Sequence, residues 1–290
     1  MNKFLFGLLA LLALGLPGMS WATPSNDNCT GFITSLPATI STPGTWCMTQ
    51  NLGMATNNAY AITVSSDHVT IDCNDFSLDG SSVGLATGSI GIYSYNVSHT
   101  IVRHCGIRGF FYGVLLDTVN RSVVEDNHLD ANTYIGIALF GNELVARGNL
   151  VTHTGGTSGG AILSNAPAIA IRTSDGADVE ILDNTVDGVR ATVGGGGTGI
   201  GISAVNAPGA YIAGNRVRNV AGDGAGLTKG ISTYNDNGER AMVRDNDVSS
   251  SVGTGLFCAN ANARIKNNVV GGFTTLVENC GDAGGNDLTP

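Results

Sequence analysis

Charge is scarce in this chain. Asp, Glu, Lys and Arg together make up 13% of its 290 residues, about half the usual share. Basic residues are the scarcer kind: 14 Lys and Arg against 23 Asp and Glu give a formal net charge of −9. That balance argues against a nucleic-acid partner, an anionic membrane surface or a broad trap for polyanions, and leaves room only for a local basic pocket. Cys and His never cluster at a spacing such as C-x-x-C, so no metal site is expected. Helical periodicity is missing too, because β-branched residues alternate and Gly or Asn interrupts them every few positions. Glycine, by contrast, is abundant at 42 residues.

One apolar run of note exists, FLFGLLALLALGLPG, preceded by Lys3 and followed by Ser20, Trp21 and Ala22. It is shorter than the roughly 20 residues that span a bilayer and ends in small residues, so residues 1–22 read as a cleaved secretory signal. Without Lys3 the mature chain holds 13 basic and 23 acidic residues, a net charge of −10. A secreted or periplasmic location follows, with no membrane attachment expected.

What the chain does have is a repeat. Asn74, Cys105, Asn127, Asn149, Asn184, Asn215, Asn246 and Asn268 recur at separations of 31, 22, 22, 35, 31, 31 and 22 residues. Before each stands a small residue and an aliphatic one: Ala61-Ile62, Gly91-Ile92, Gly113-Val114, Gly136-Ile137, Ala170-Ile171, Gly201-Ile202, Gly230-Ile231 and Gly255-Leu256. From the aliphatic residue to the turn the distance stays at 12 to 15 residues, whereas from the turn to the next aliphatic residue it ranges from 9 to 22. Length variation therefore falls in one loop of each unit. Aliphatic residues three before the turn (Ile71, Val102, Val124, Ala146) and two after it (Phe76, Ile107, Leu129, Val151) complete three short strands per unit. Asn suits the turn because it tolerates the left-handed backbone region and its amide can bond to the amide stacked above. A second polar column, Asn96, Asp175, Asn206, Asn235 and Asn260, follows the small residue by five. Between Asn149 and Asn184 both residues 159–165 (GGAILSN) and residues 168–175 (AIAIRTSD) fit the strand after the loop; the second keeps the 13-residue spacing through Ile171.

The repeat also pairs the cysteines. Cys258 and Cys280 lie one short unit apart, Cys73 and Cys105 end successive turns, and Cys29 and Cys47 remain to close an N-terminal loop.

With these columns the chain resembles the right-handed parallel β-helix proteins of the pectin-lyase-like superfamily, most closely the generic secreted bacterial repeat proteins. The resemblance implies an all-β fold, a single-stranded right-handed parallel β-helix solenoid of about nine coils over residues 59–280. Residues 23–58 would cap it and residues 281–290 form a tail. Such a rod would be roughly 40 Å long. It further implies a ligand groove along the strand that follows the variable loop, walled by the long loops, and hence a polysaccharide or glycan partner for a monomeric protein.

Outward positions on that strand are Tyr93, Tyr95, Leu115, Asp117, Ala138, Phe140, Arg172, Ser203, Ser232, Tyr234 and Phe257. Tyr93, Tyr95, Asp117, Phe140 and Phe257 are candidates for binding substrate, since aromatic faces stack on sugars. β-Elimination of a uronate polymer needs a cation to neutralise the carboxylate and a base for the C5 proton. Arg172, Lys229, Tyr234 and His153 are the candidates for those roles. A calcium-assisted reaction would want several carboxylates together, and Asp187 and Asp223 stand alone, so no cofactor is expected. Hydrolysis wants two carboxylates on the groove, and Asp117 has no outward partner on the next coils. The Arg-Ile-Lys string of polygalacturonases occurs at residues 264–266, in an ordinary strand, without that family's other motifs. Three readings remain open. A polysaccharide lyase needs Arg172, Lys229 and Tyr234 to converge, a binding protein needs only spaced aromatics, and a structural or adhesive surface protein needs neither.

Overall fold

A computed structural model describes residues 28–158, 166–192, 194, 196–234, 240–260 and 262–290. The signal segment, Asn235 and the alternative strand at 159–165 lie outside the described residues. The chain winds as a parallel β-helix of three sheets holding 11, 10 and 10 strands, and every strand pair is parallel. Each coil contributes a strand before the Asn turn to the first sheet, a strand after it to the second, and a strand beyond the variable loop to the third. Coils complete in all three strands run from Gly44–Met48 to Thr275–Glu278, nine in number among the described residues.

Register follows from the inward aliphatic residues. In the first sheet Ile71, Val102, Val124, Ala146, Ile181, Ile212, Val243 and Ile265 form one ladder. In the third, Ile62, Ile92, Val114, Ile137, Ile171, Ile202, Ile231 and Leu256 form another, so the strand is Ala168–Ser174, as the 13-residue spacing requires. All these side chains are buried. A slip by one residue would turn each apolar column outward. The small residue before each aliphatic one marks a close approach: a Cβ on Gly136 would stand 2.6 Å from the Ala170 carbonyl oxygen, and one on Gly230 2.5 Å from that of Gly255. In the second sheet the ladder takes Leu78, not Phe76, opposite Ile107. The turn of that coil holds two more residues, with both Asn74 and Asp75 in the left-handed region.

Past Asn74 the column does not supply the left-handed turn expected of it. From Cys105 onward that conformation belongs to the residue before the column: His104, Asp126, Gly148, Asp183, Gly214, Asp245 and Asn267 all have positive φ. The column itself is a buried amide ladder. Asn127 Nδ2 donates to Asn149 Oδ1 (3.0 Å), Asn149 to Asn184 (2.9 Å), Asn184 to Asn215 (3.0 Å), Asn215 to Asn246 (3.0 Å) and Asn246 to Asn268 (2.9 Å). Each Nδ2 also donates to a backbone carbonyl of the first sheet, and each Oδ1 also accepts the backbone N–H of the Asn one coil back. Cys105 replaces Asn in the second position of the column, and a disulfide to Cys73 (Cα–Cα 4.7 Å) stands where the amide pair would be. Cys29–Cys47 and Cys258–Cys280 are also bonded, completing the three local bridges.

The repeat extends past both ends drawn from the sequence. Gly31–Ile33, Ala38–Ile40 and Gly44–Met48 already belong to the sheets. Beyond Cys280, Gly281–Asp282 and Asp287–Thr289 add a further strand to the first and second sheets. Asn286 continues the ladder by accepting from Asn268 Nδ2 at 3.0 Å.

Replacing one rung should therefore cost more than its own bonds. Asn184→Ala strips Asn149 and Asn215 of partners in the buried core, and we expect a loss of about 2–4 kcal/mol. Asn286→Ala, at the solvent-facing end, should cost about 1 kcal/mol or less. Urea unfolding of the two variants measures the difference, and equal losses would mean that the ladder does not act as a unit.

Candidate functional site

The outer face of the third sheet collects the candidate residues. Thr63, Tyr93, Leu115, Ala138, Arg172, Ser203, Ser232, Phe257 and Glu278 stand in one outward ladder. Tyr95, Asp117, Phe140, Ser174, Val205 and Tyr234 stand in a second. A third runs Tyr60, Ile90, Tyr112, Ile135, Ile169, Ile200 and Lys229, beside the variable loops. Sequence reasoning missed Tyr60 and Tyr112. Their signal is a position directly before the small residue of the repeat, which faces outward as surely as the positions after it.

The loops form a wall along this third ladder, and they lock to one another. Ser158 N donates to the Leu85 carbonyl (2.9 Å), Thr192 Oγ1 to that of Thr157 (2.5 Å) and Asp223 N to that of Gly197 (2.9 Å). Behind the wall Ile90, Leu115, Ile135, Ala138 and Ile169 form a second apolar cluster against Tyr93, Tyr112, Tyr134 and Phe140. Leu115 and Ala138 are thus covered. The open part of the floor is aromatic: Tyr60 and Tyr93 stack at 4.5 Å, Tyr93 and Tyr95 at 6.3 Å, and Tyr95 is 55% exposed.

Arg172 stands at the centre. Its guanidinium lies 5.9 Å from the Phe140 ring centroid. Its Nε is buried and makes no hydrogen bond. Tyr112 lies within its electrostatic reach, and burial, reinforced by Tyr134 and Asp117, pushes that phenol up to about 12 against the pull of Arg172. Tyr93 is raised as well, by burial first and then by Asp117, Tyr60 and Tyr95. The carboxyl of Asp175 is held low by hydrogen bonds from Ser174 and Asn206, which outweigh its burial, with help from Arg172. Tyr112, kept protonated within reach of the Arg172 cation, is a hydrogen-bond donor and a poor source of base; Tyr93 stands three strands from Arg172 on the first ladder.

The four residues proposed for elimination are not brought together. Lys229 lies two strands from Arg172 and at the opposite end of its strand from Tyr234. Its Nζ sits 3.4 Å from the Phe257 ring centroid in a cleft of about 400 Å3 that Glu278 also lines. Burial lowers its pKa, against the opposing pull of Glu278. Tyr234 is exposed. His153 belongs to the second-sheet side of the wall, with Nδ1 2.8 Å from Asp130 Oδ1. Burial acts to raise the Asp130 carboxyl, and the bonds from His153 and Thr152 overcome it. Asp187 and Asp223 are engaged separately, by Asn219 Nδ2 (2.6 Å) and Gly196 N (3.1 Å).

Residues 44–169 match the family of the right-handed beta helix region. No curated protein matches the chain. Among solved structures, the alginate lyase from Paenibacillus sp. str. FPU-7 aligns over 87% of this chain and 97% of its own, with 14% identity and a TM-score of 0.52. The tailspike protein of E. coli bacteriophage HK620 aligns over 89% of this chain and 57% of its own, with 11% identity and a TM-score of 0.52. The Dettilon tailspike protein aligns over 83% and 42%, with 15% identity and a TM-score of 0.48. The chain thus spans about half the length of the tailspikes. At these identities the likeness is one of fold, and the expected architecture, a right-handed parallel β-helix, stands.

The phenol of Tyr112 supplies a direct check of the Arg172 environment. Its folded pKa exceeds the ordinary 10.0, so between those values the unfolded chain ionises while the folded one keeps its proton. Stability should fall across that window and be indifferent to this group below it. An ultraviolet difference titration should lose its latest-ionising tyrosine in Tyr112→Phe; an unchanged late phase would place that phenol elsewhere.

Proposed function

We propose that this right-handed parallel β-helix is an exported protein that binds an acidic polysaccharide along the outer face of its third sheet, beside the loop wall. Arg172 carries the reading. A half-buried guanidinium with an N–H lacking any acceptor, on a floor of aromatic rings, is complementary to a carboxylate on a sugar. Tyr93 and Tyr95 add stacking surfaces toward one end and Phe257 with Lys229 toward the other. Along their common ladder Tyr93 and Phe257 are six strands apart, about 29 Å, the reach of an extended oligosaccharide rather than one sugar. Three disulfides support folding in an oxidising compartment. A protein named for alginate shares the fold, in keeping with a uronate ligand.

One observation favours a second reading, elimination on the same polymer. Tyr112 is close enough to Arg172 for their charges to interact, and a phenol at about 12 is a proton donor for a leaving oxygen. The base for the C5 proton would have to come from another group, and Lys229, whose pKa is lowered, is strands away.

Isothermal titration of residues 23–290 with alginate, pectate and neutral oligosaccharides tests both. Acidic chains should bind more tightly than neutral ones, and Arg172→Gln should weaken them about tenfold, about 1.4 kcal/mol, and abolish the preference. Tyr95→Ala should weaken both classes by a smaller factor. New ultraviolet absorbance from unsaturated uronates, lost in Tyr112→Phe, would establish the lyase. Equal retention of acidic and neutral chains by Arg172→Gln and the native protein would sink the assignment of Arg172, and no binding at all would favour a structural or adhesive role.

A further inference from the structure

A second basic cluster lies away from the glycan face, at the foot of the loop wall on the second-sheet side. Arg218 ends the strand Arg216–Arg218, and Ser249 stands next to it in the ladder on the following strand. Arg190 arrives from the loop after Thr185–Asp187, fixed by parallel bridges to Gly155 and Ala221 and by its own N–H, which donates to the Thr154 carbonyl at 2.9 Å. Together with Asn219, Ser250 and Ser251 these residues line a cleft of about 440 Å3.

Its charges do not cancel. The Asp247 carboxylate lies 3.0 Å from Arg218 Nη2 and 3.7 Å from Arg216 Nε, one anion shared by two guanidiniums. Asp187, next to Arg218 in the ladder, accepts from Asn219 Nδ2 at 2.6 Å. Arg190 forms no ion pair among the described residues. Three cations thus face two carboxylates in a chain whose net charge is −9. The Nε of Arg218, like that of Arg172, is buried without a hydrogen-bond partner. That donor is itself out of reach of solvent, but the Arg218 side chain is 38% exposed, and with Arg190 it presents guanidinium nitrogens to the cleft that a bound anion could use.

We propose that this cleft binds a tetrahedral oxyanion, sulfate or phosphate, either free or carried as an ester on a glycan. Two guanidiniums and the hydroxyls of Ser249 and Ser251 approach the cleft from neighbouring coils, offering donors in more directions than the two oxygens of a carboxylate would use. Ser250 is already committed, donating from its hydroxyl to the Val220 carbonyl at 2.6 Å. The site does not depend on the glycan face and can be tested without it.

The experiment titrates residues 23–290 with sodium sulfate and sodium phosphate at constant ionic strength, following the unfolding temperature and the arginine side-chain NMR signals. Saturable binding is expected, weakened at least tenfold by Arg190→Gln and by Arg218→Gln and unaltered by Arg172→Gln. Arg218→Gln loses its contact with Asp247 and could fail to fold; Arg190→Gln removes an exposed, unpaired side chain and keeps the test decisive. A sulfated monosaccharide binding more tightly than inorganic sulfate would identify a glycan-borne ester, and equal affinity would identify the free anion. Absence of saturation with all of these anions, or unchanged affinity in Arg190→Gln, would overturn the proposal.

Discussion

Every feature of this protein hangs on the constant rise from one coil to the next. Parallel pairing sets that rise at about 4.8 Å, and the buried amide ladder from Asn127 to Asn286 has bonds only if the rise is kept at every step. An unpaired amide in this core would be expensive, so each rung holds the register of its neighbours. The one column position filled otherwise, Cys105, is tied to the coil before it covalently. Because closure entropy grows slowly with loop length, loops as different as residues 131–134 and 153–167 can join the same sheets without disturbing the ladder.

Such a scaffold turns sequence position into place, which is why much of it was legible. A fixed spacing put Ile171 inward and therefore Arg172 outward, and the same count paired the cysteines. The Asn column was legible as a column and as a stack of amides, and only its share in the turn was misassigned. Asn both tolerates positive φ and stacks amides, and composition cannot separate the two uses. The structure separates them by giving the backbone role to the residue before, where His, Asp, Gly and Asn all serve. Phe76 was misplaced because two inserted residues in one turn leave no periodic trace.

The loops were the illegible part. Their lengths announced a wall, but the bonds that make it rigid join residues as distant as Leu85 and Ser158 and follow no repeat. For the same reason Lys229 and Arg172, which share a sheet face, could not be told apart from residues that share a site. Tyr112 shows the opposite failure: its place was computable from the ladder, and only its burial against Tyr134 and Arg172 needed the third dimension.

The arrangement of arginines then separates scaffold from site. Arg103 pairs with Asp72, Arg121 with Glu143 and Arg147 with Glu125, each across adjacent coils. Where such pairs are exposed they contribute little stability, yet together with the ion pairs of Arg108, Arg216, Arg218 and Arg244 they engage seven of the chain's 14 basic residues. Arg172 and Arg190 escape that pairing, and Arg218 shares its carboxylate with Arg216. Since long-range attraction of an anion is weak for a chain of net charge −9, recognition has to act at short range. Guanidiniums that are partly desolvated and still short of acceptors are the groups able to provide it.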